Sequence, residues 1–417
     1  MKSIFENYKS YFEESNSNVK IFLGIILIAS VSVAAYNVLV GIYMKNMGFN
    51  EEAVGQILSL RTLGIAFGAI PIAVLTEQYN KKNALRAGLL IMLFCGLMMI
   101  NTRTFWIMQF ASFFFGIGHA TLMVLQTPIL YENSSDGHKV TAFSAAFVIQ
   151  NIAFVFGSFF LGHLSELLAK HSSEKIGNLL VLNGATLLIV IPIVMTAYFS
   201  GESMTAQKRT VPFRQTGFNI VSGYCEICKG KALLYLLQVA FVGFGAGLIV
   251  PFFSMYLKYA LNVMDGIVGT IMAISQVGTI LGGLLVPIIS RKWGRVRTVI
   301  WCQLLSVPFL ISISMPQGIY IITLSFFFRS SLMNMANPII KSLSMDLIGK
   351  DERTYMSSLV SLTNNLFRSM GIYFGGIIMY TVSYNAPYYV TIICYLGGTF
   401  ILYKVFGNKK EDYSTSK

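Results

Sequence analysis

Ser361, Asn364, Asn365 and Arg368 are spaced i, i+3, i+4 and i+7, which puts all four on one face of a helix. That face presents a guanidinium beside two amides and a hydroxyl, a set rich in donors and suited to a negatively charged or strongly polar group. Just upstream, Arg329, Asn334 and Asn337 precede Lys341 on another apolar run. Comparable residues in the first half are Arg61, the pair His119 and Gln126 seven apart, and the adjacent amides Gln150 and Asn151. Each interrupts a long apolar stretch, where polar side chains are costly and tend to face a protein interior or an aqueous cavity. A single amide serves equally well as glue between helices, and His119 can either titrate near neutrality or donate one hydrogen bond. The arginines carry more weight, because a buried charge is hard to retain for packing alone. No Asp or Glu lies at similar depth: Glu132, Asp265 and Asp346 all fall near the ends of their runs. An anion, or a zwitterion with a negative group, is the ligand this balance favours.

The elements that must carry these residues follow from composition. The 417 residues are 55% hydrophobic and 12% charged, with a mean hydropathy of +0.65, about half the charge of an ordinary soluble chain. Twelve apolar runs, from Val19–Met44 to Pro387–Phe406, are long enough to cross a bilayer as helices. Alternation with period two is absent, which excludes a barrel, and backbone groups in hydrocarbon must then be bonded inside helices. The expected fold is an all-α membrane protein of twelve transmembrane helices. The net charge of +13 is a matter of topology: 22 of the 31 Lys and Arg fall in segments on one side. Five lie in the opposite loops (Lys45, Arg103, Lys170, Lys175 and Lys258), and the remaining four (Arg61, Arg329, Lys341 and Arg368) lie within their runs. By the positive-inside rule both termini are cytoplasmic, and no nucleic-acid partner is implied.

The chain is also a duplication. An offset of 214 residues carries Gly64 and Gly68 onto Gly278 and Gly282, Glu132 onto Asp346, Lys139 onto Arg353, and Gln150-Asn151 onto Asn364-Asn365. The basic turns between the second and third runs of each half, Thr76–Asn83 and Ser290–Arg297, superpose with Lys81 on Arg295. This divides the chain into a cytoplasmic segment 1–18, a six-helix bundle 19–199, a cytoplasmic linker 200–231, a second bundle 232–407 and a tail 408–417. The first segment has Ile4, Phe5, Tyr8, Tyr11 and Phe12 on one helical face, as a helix lying on the inner leaflet would.

On these residues the chain resembles the major facilitator superfamily, whose members are built from two parallel six-helix repeats. The family's loop between spans two and three has an acidic residue, a turn glycine and a basic pair. Glu77, Asn80 and Lys81-Lys82 stand in those places, with Asn80 expected to hold a positive-φ turn. The second copy has Arg291, Gly294 and Arg295. The resemblance also pairs the acidic end of span four with the basic start of span five, hence Glu132 with Lys139 and Asp346 with Arg353. Together Glu77, Lys81, Lys82, Glu132, Lys139, Arg291, Arg295, Asp346 and Arg353 make a candidate cytoplasmic gate. The span-five Gly-Pro pair of antiporters and the span-four Arg of proton-coupled drug exporters are both missing.

The resemblance implies a secondary transporter in the cell membrane, working by alternating access on a small-molecule substrate held near the midplane, with protons as a candidate coupling ion. A drug, lysolipid or glycolipid exporter of the same fold is the alternative, and a solute sensor that does not transport is the alternative of another class. No nucleophile is paired with a base and no phosphate loop appears, so no enzyme is expected. No cofactor or metal is expected either, since Cys225 and Cys228 supply two ligands where zinc takes four. A monomer in the lipid bilayer is anticipated. With this topology, a Ser172→Cys variant reacts with an impermeant thiol reagent added outside, whereas Lys208→Cys does not. Labelling at 208 alone would invert the topology.

Overall fold

The computed structural model describes residues 15–78, 80–134, 138–200, 224, 227–315, 317–349 and 353–407. The expected surface helix within 1–18, most of the linker, Cys225 and the tail lie outside these. Among the described residues twelve helical spans follow in order: α1 (Ser17–Asn46), α2 (Glu51–Gln78), α3 (Lys81–Asn101), α4 (Phe105–Glu132), α5 (Lys139–Lys170) and α6 (Glu174–Tyr198). The second set is α7 (Gly230–Ala260), α8 (Asp265–Trp293), α9 (Arg295–Ser314), α10 (Ile319–Met345), α11 (Arg353–Thr381) and α12 (Ala386–Phe406). Eleven are long and apolar enough among the described residues to cross a membrane. The twelfth, α11, has the length of a span at 29 residues, but Ser361, Asn364, Asn365 and Arg368 lower its hydropathy.

Local chemistry sets the breaks. Gly294 begins α9 at φ +83°, a conformation that glycine adopts without a Cβ clash. Its counterpart Asn80 does not share it. At φ −62° Asn80 is an N-cap whose side-chain oxygen accepts from the Lys82 N–H at 2.9 Å. Asn can satisfy an orphan helix N–H where Gly cannot, so the same position is solved by capping instead of by a left-handed turn. In α10, Pro338 removes the N–H that would reach the Asn334 carbonyl. The helix is interrupted at Ala336, whose N–H turns to that carbonyl.

Packing falls into two units. The first comprises Met1–Val211 with Ser254–Ala273; the second comprises Pro212–Phe253 with Ile274–Lys417. In the first, a Cβ added at Gly64 would lie 2.1 Å from the Phe113 carbonyl oxygen. In the second, one added at Gly278 would lie 2.5 Å from that of Phe327. Both positions of the second contact are the first plus 214, so α2 meets α4 as α8 meets α10, backbone against backbone.

The segment 254–273, the end of α7 and start of α8, belongs to the second repeat by sequence and to the first unit by contact. Gly269 packs on Gly162, and the Gly266 N–H donates to Glu166 at 3.1 Å. Tyr259 donates to the Ile42 carbonyl and to Asn46, and His163 meets Thr270 at 3.1 Å. Lys258 bridges Glu174 at 2.9 Å and Asp265 at 3.0 Å, and the Asp265 side chain is only 2% exposed. Removing one partner from a buried pair strands the other charge, at a cost of about 3 kcal/mol or more. Lys258→Gln is therefore expected to lower the melting temperature of the purified protein by several degrees, and adding Asp265→Asn to restore most of it. An unchanged melting temperature in the single variant would show that the bridge contributes nothing.

Candidate functional site

In the second unit, α11 is fixed by glycine-mediated contact with α7. Added Cβ atoms would lie 2.9 Å from the Asn364 carbonyl oxygen at Gly243, 2.2 Å from that of Arg368 at Gly247, and 2.1 Å from that of Phe244 at Gly371. No side chain larger than hydrogen fits between these backbones, so the height of Arg368 on α11 is set by α7.

Arg329, on α10, is 5% exposed. Its Nη2 donates to the Tyr395 hydroxyl at 3.0 Å, and its guanidinium stands 5.1 Å from the centroid of the Phe253 ring. Its Nε has no hydrogen-bond partner among the described residues. Arg368 lies within electrostatic reach of both Arg329 and Tyr395 and makes no ion pair with a described residue. Arg329 and Tyr395 are thus bonded to each other, with Arg368 in electrostatic reach of both. Among the described residues of this unit the sole carboxylate side chain is Asp346, and it is bonded to Arg295 at 2.8 Å. No described carboxylate is free to neutralise the arginines.

The amides divide into bonded and available ones. Asn365 donates to the Ser361 carbonyl at 3.0 Å, and Asn151 to the Phe147 carbonyl at 2.8 Å, so the two repeats share even this bond within one helix. Asn334 donates to Thr279 at 3.1 Å and accepts from Asn337 at 3.4 Å, which joins α10 to α8. The side chain of Asn364 makes no hydrogen bond to a described residue, and Ser361 is exposed. Lys341 is exposed beyond the α10 break. In the first unit Arg61 donates to Asn37 at 3.2 Å and lies within electrostatic reach of His119. Gln126 and Gln150 are half-buried with no side-chain hydrogen bond to a described residue.

Sequence reasoning missed Tyr395 and Asn37, the partners of Arg329 and Arg61. Tyr388 and Tyr395 are seven apart on one face of α12, a usable signal, but a tyrosine within a span reads as packing. Tyr36, Tyr43, Phe252, Phe253 and Tyr256 are buried, each at most 3% exposed.

The charges at the helix ends also resolve. Glu132 pairs with Lys81, and Asp346 with Arg295, so one ion pair is repeated at an offset of 214. At the starts of α5 and α11, Lys139 sits 3.7 Å from the centroid of the Tyr131 ring, and Arg353 is exposed. Lys81 and Arg295 begin α3 and α9 and reach the acidic end of the helix that follows, α4 and α10, within each unit. Lys82 donates to the Ala197 and Phe199 carbonyls at 2.8 and 3.1 Å, capping the end of α6 where the helix dipole is negative. Arg291 is exposed, and the Glu77 side chain lies outside the described residues.

Comparison with known proteins accords with this architecture. The family model of the Major Facilitator Superfamily matches residues 22–244 and again 235–417. The twelve-span duplicated fold defines a multi-pass membrane protein of the transporter class. The chain belongs to the Major Facilitator Superfamily. Among solved structures it is similar to a mutant form of the nucleoside transporter NupG, with a TM-score of 0.78 and 15% identity, covering 93% of this chain and 100% of that one. It is also similar to a bacterial homologue of the iron transporter ferroportin in the inward-facing state (0.74, 12%, 93% and 98%). A bacterial homologue of the human lysosomal transporter Spinster, inward-facing and unoccupied, matches at 0.67 with 14% identity over 96% of each chain. At these identities the likeness concerns the fold. No curated protein sequence matches.

Proposed function

We propose that the protein is a secondary transporter of a small anionic or zwitterionic solute, held through a negative group by Arg368 with Asn364 beside it. One observation carries this reading: two arginines share the interior of the second unit, and its sole described carboxylate is occupied elsewhere. A charge in low dielectric without a counter-charge is unfavourable by several kcal/mol, so a cationic cargo would be repelled and an anionic one retained. The site is exposed alternately to the two sides of the cell membrane, with both chain termini in the cytoplasm. Arg61 and His119 form the polar cluster of the first repeat, and His119 is the candidate for proton coupling. The protein acts as a monomer with no enzymatic step.

A guanidinium that grips an oxyanion with two parallel bonds is poorly replaced by an ammonium. A thermal-shift screen of organic anions, cations and lipids supplies the ligand. Arg368→Lys and Arg368→Gln are then expected to lose its binding and its flux into proteoliposomes. Full transport by the Gln variant, or a ligand set made up only of organic cations, would overturn the anion reading. Binding by the native protein with no flux would make it a sensor.

The repeated pairs Lys81–Glu132 and Arg295–Asp346 act as hinges of the cytoplasmic gate. Arg295 and Asp346 are 46% and 39% exposed, so breaking their pair costs stability at most about 1 kcal/mol. Glu132→Gln and Asp346→Asn are expected to slow transport at least several-fold while ligand affinity and melting temperature stay near native. Lost affinity with a normal rate of exchange would remove them from the gate.

A further inference from the structure

The two arginines pose a problem that a singly charged ligand leaves half solved. Arg329 and Arg368 lie within electrostatic reach of one another and repel, and a carboxylate bound to one leaves the other uncompensated. Arg329 has spent Nη2 on Tyr395 and retains an unpartnered Nε although the residue is 95% buried. Among the described residues Arg368 retains its whole guanidinium, and Asn364 adds an uncommitted amide. A tetrahedral phosphoryl group has three terminal oxygens and, above its second ionisation, close to two negative charges. One oxygen pair can take the fork of Arg368 while the third oxygen faces Arg329 or Asn364, so charge and donor count are matched together.

We propose that the second unit binds a doubly charged oxyanion, a phosphate monoester of a small organic solute, with Arg329 supplying the selectivity for the second charge. This rests on the anion reading given above and narrows it. It also carries a pH signature that comes from the ligand's second ionisation. All four histidines lie at or before position 171, so the second unit has none. The groups in electrostatic reach of Arg368 are Arg329 and Tyr395, and neither is a carboxylate or an imidazole. A change in affinity at about pH 6 that butyl phosphate shows and butyl sulfate, a monoanion throughout, does not, therefore belongs to the ligand.

The test uses three matched probes on the purified full-length protein by isothermal titration: butyl phosphate, butyl sulfate and butylammonium. At about pH 8 the phosphate is nearly a dianion, at about pH 5 a monoanion, and the sulfate is a monoanion throughout. One further charge-assisted hydrogen bond predicts that butyl phosphate binds about tenfold or more tighter than butyl sulfate at the higher pH. The advantage should vanish at the lower one. Arg329→Gln should bring butyl phosphate down to the affinity of the sulfate and leave the sulfate unchanged within a few-fold, and Arg329→Lys should keep part of the preference. Should the Gln variant fail to fold, the pH dependence of the native protein decides alone. Equal affinity for the two anions at about pH 8 would overturn the dianion proposal and leave the anion reading standing. Binding of butylammonium alone would overturn both.

Discussion

A guanidinium buried in a membrane-spanning bundle has to be answered by something, and in the second unit that answer is incomplete. Arg329 is held by one phenol and one aromatic face, and Arg368 by neither an acid nor a described hydrogen bond. The acid that could have been placed among them is instead at a helix end, bonded to Arg295. Much of the local architecture is arranged to keep this imbalance in position. Gly243, Gly247 and Gly371 let α7 and α11 touch along their backbones, which fixes α11 in height and leaves no slack for Arg368 to withdraw. The break at Pro338 separates Arg329 and Asn334 from the exposed Lys341 within the same span.

The same residues explain why α11 is the least apolar of the spans. Its polar stripe carries the candidate site, and the helix is retained in the bundle by close contact with α7 more than by hydropathy. Binding chemistry and membrane insertion thus compete on one helix. The competition is eased because Asn365 returns its amide to its own backbone. Asn151 does the same in the first repeat, where no arginine follows on that face.

Much of this was legible in the sequence because duplication leaves a fixed offset. The shift of 214 that aligned Gly64 with Gly278 and Glu132 with Asp346 reappears as the same backbone contact, the same ion pair and the same amide bond in each half. What stayed hidden depends on partners brought together only by folding. Tyr395 looks like any tyrosine until Arg329 reaches it. Lys82 looks like a gate charge until the carbonyls of Ala197 and Phe199 arrive 115 and 117 residues later. Asn80 matched a turn glycine by position, yet capping and left-handed geometry are different solutions that sequence alone does not separate. The polar belt around 254–273 was hidden for another reason. Repeat symmetry assigned that segment to the second bundle, while its side chains bond to the first unit.

The central claim is that the positive charge of the second unit is completed by a bound anion. The most direct measurement is an experimental structure determined with the tightest-binding anion from the screen. The account predicts ligand density against the Arg368 guanidinium, with the anionic group facing Arg329 and the Asn364 amide. Density for the anion elsewhere, with Arg368 turned to a protein carboxylate, would contradict it.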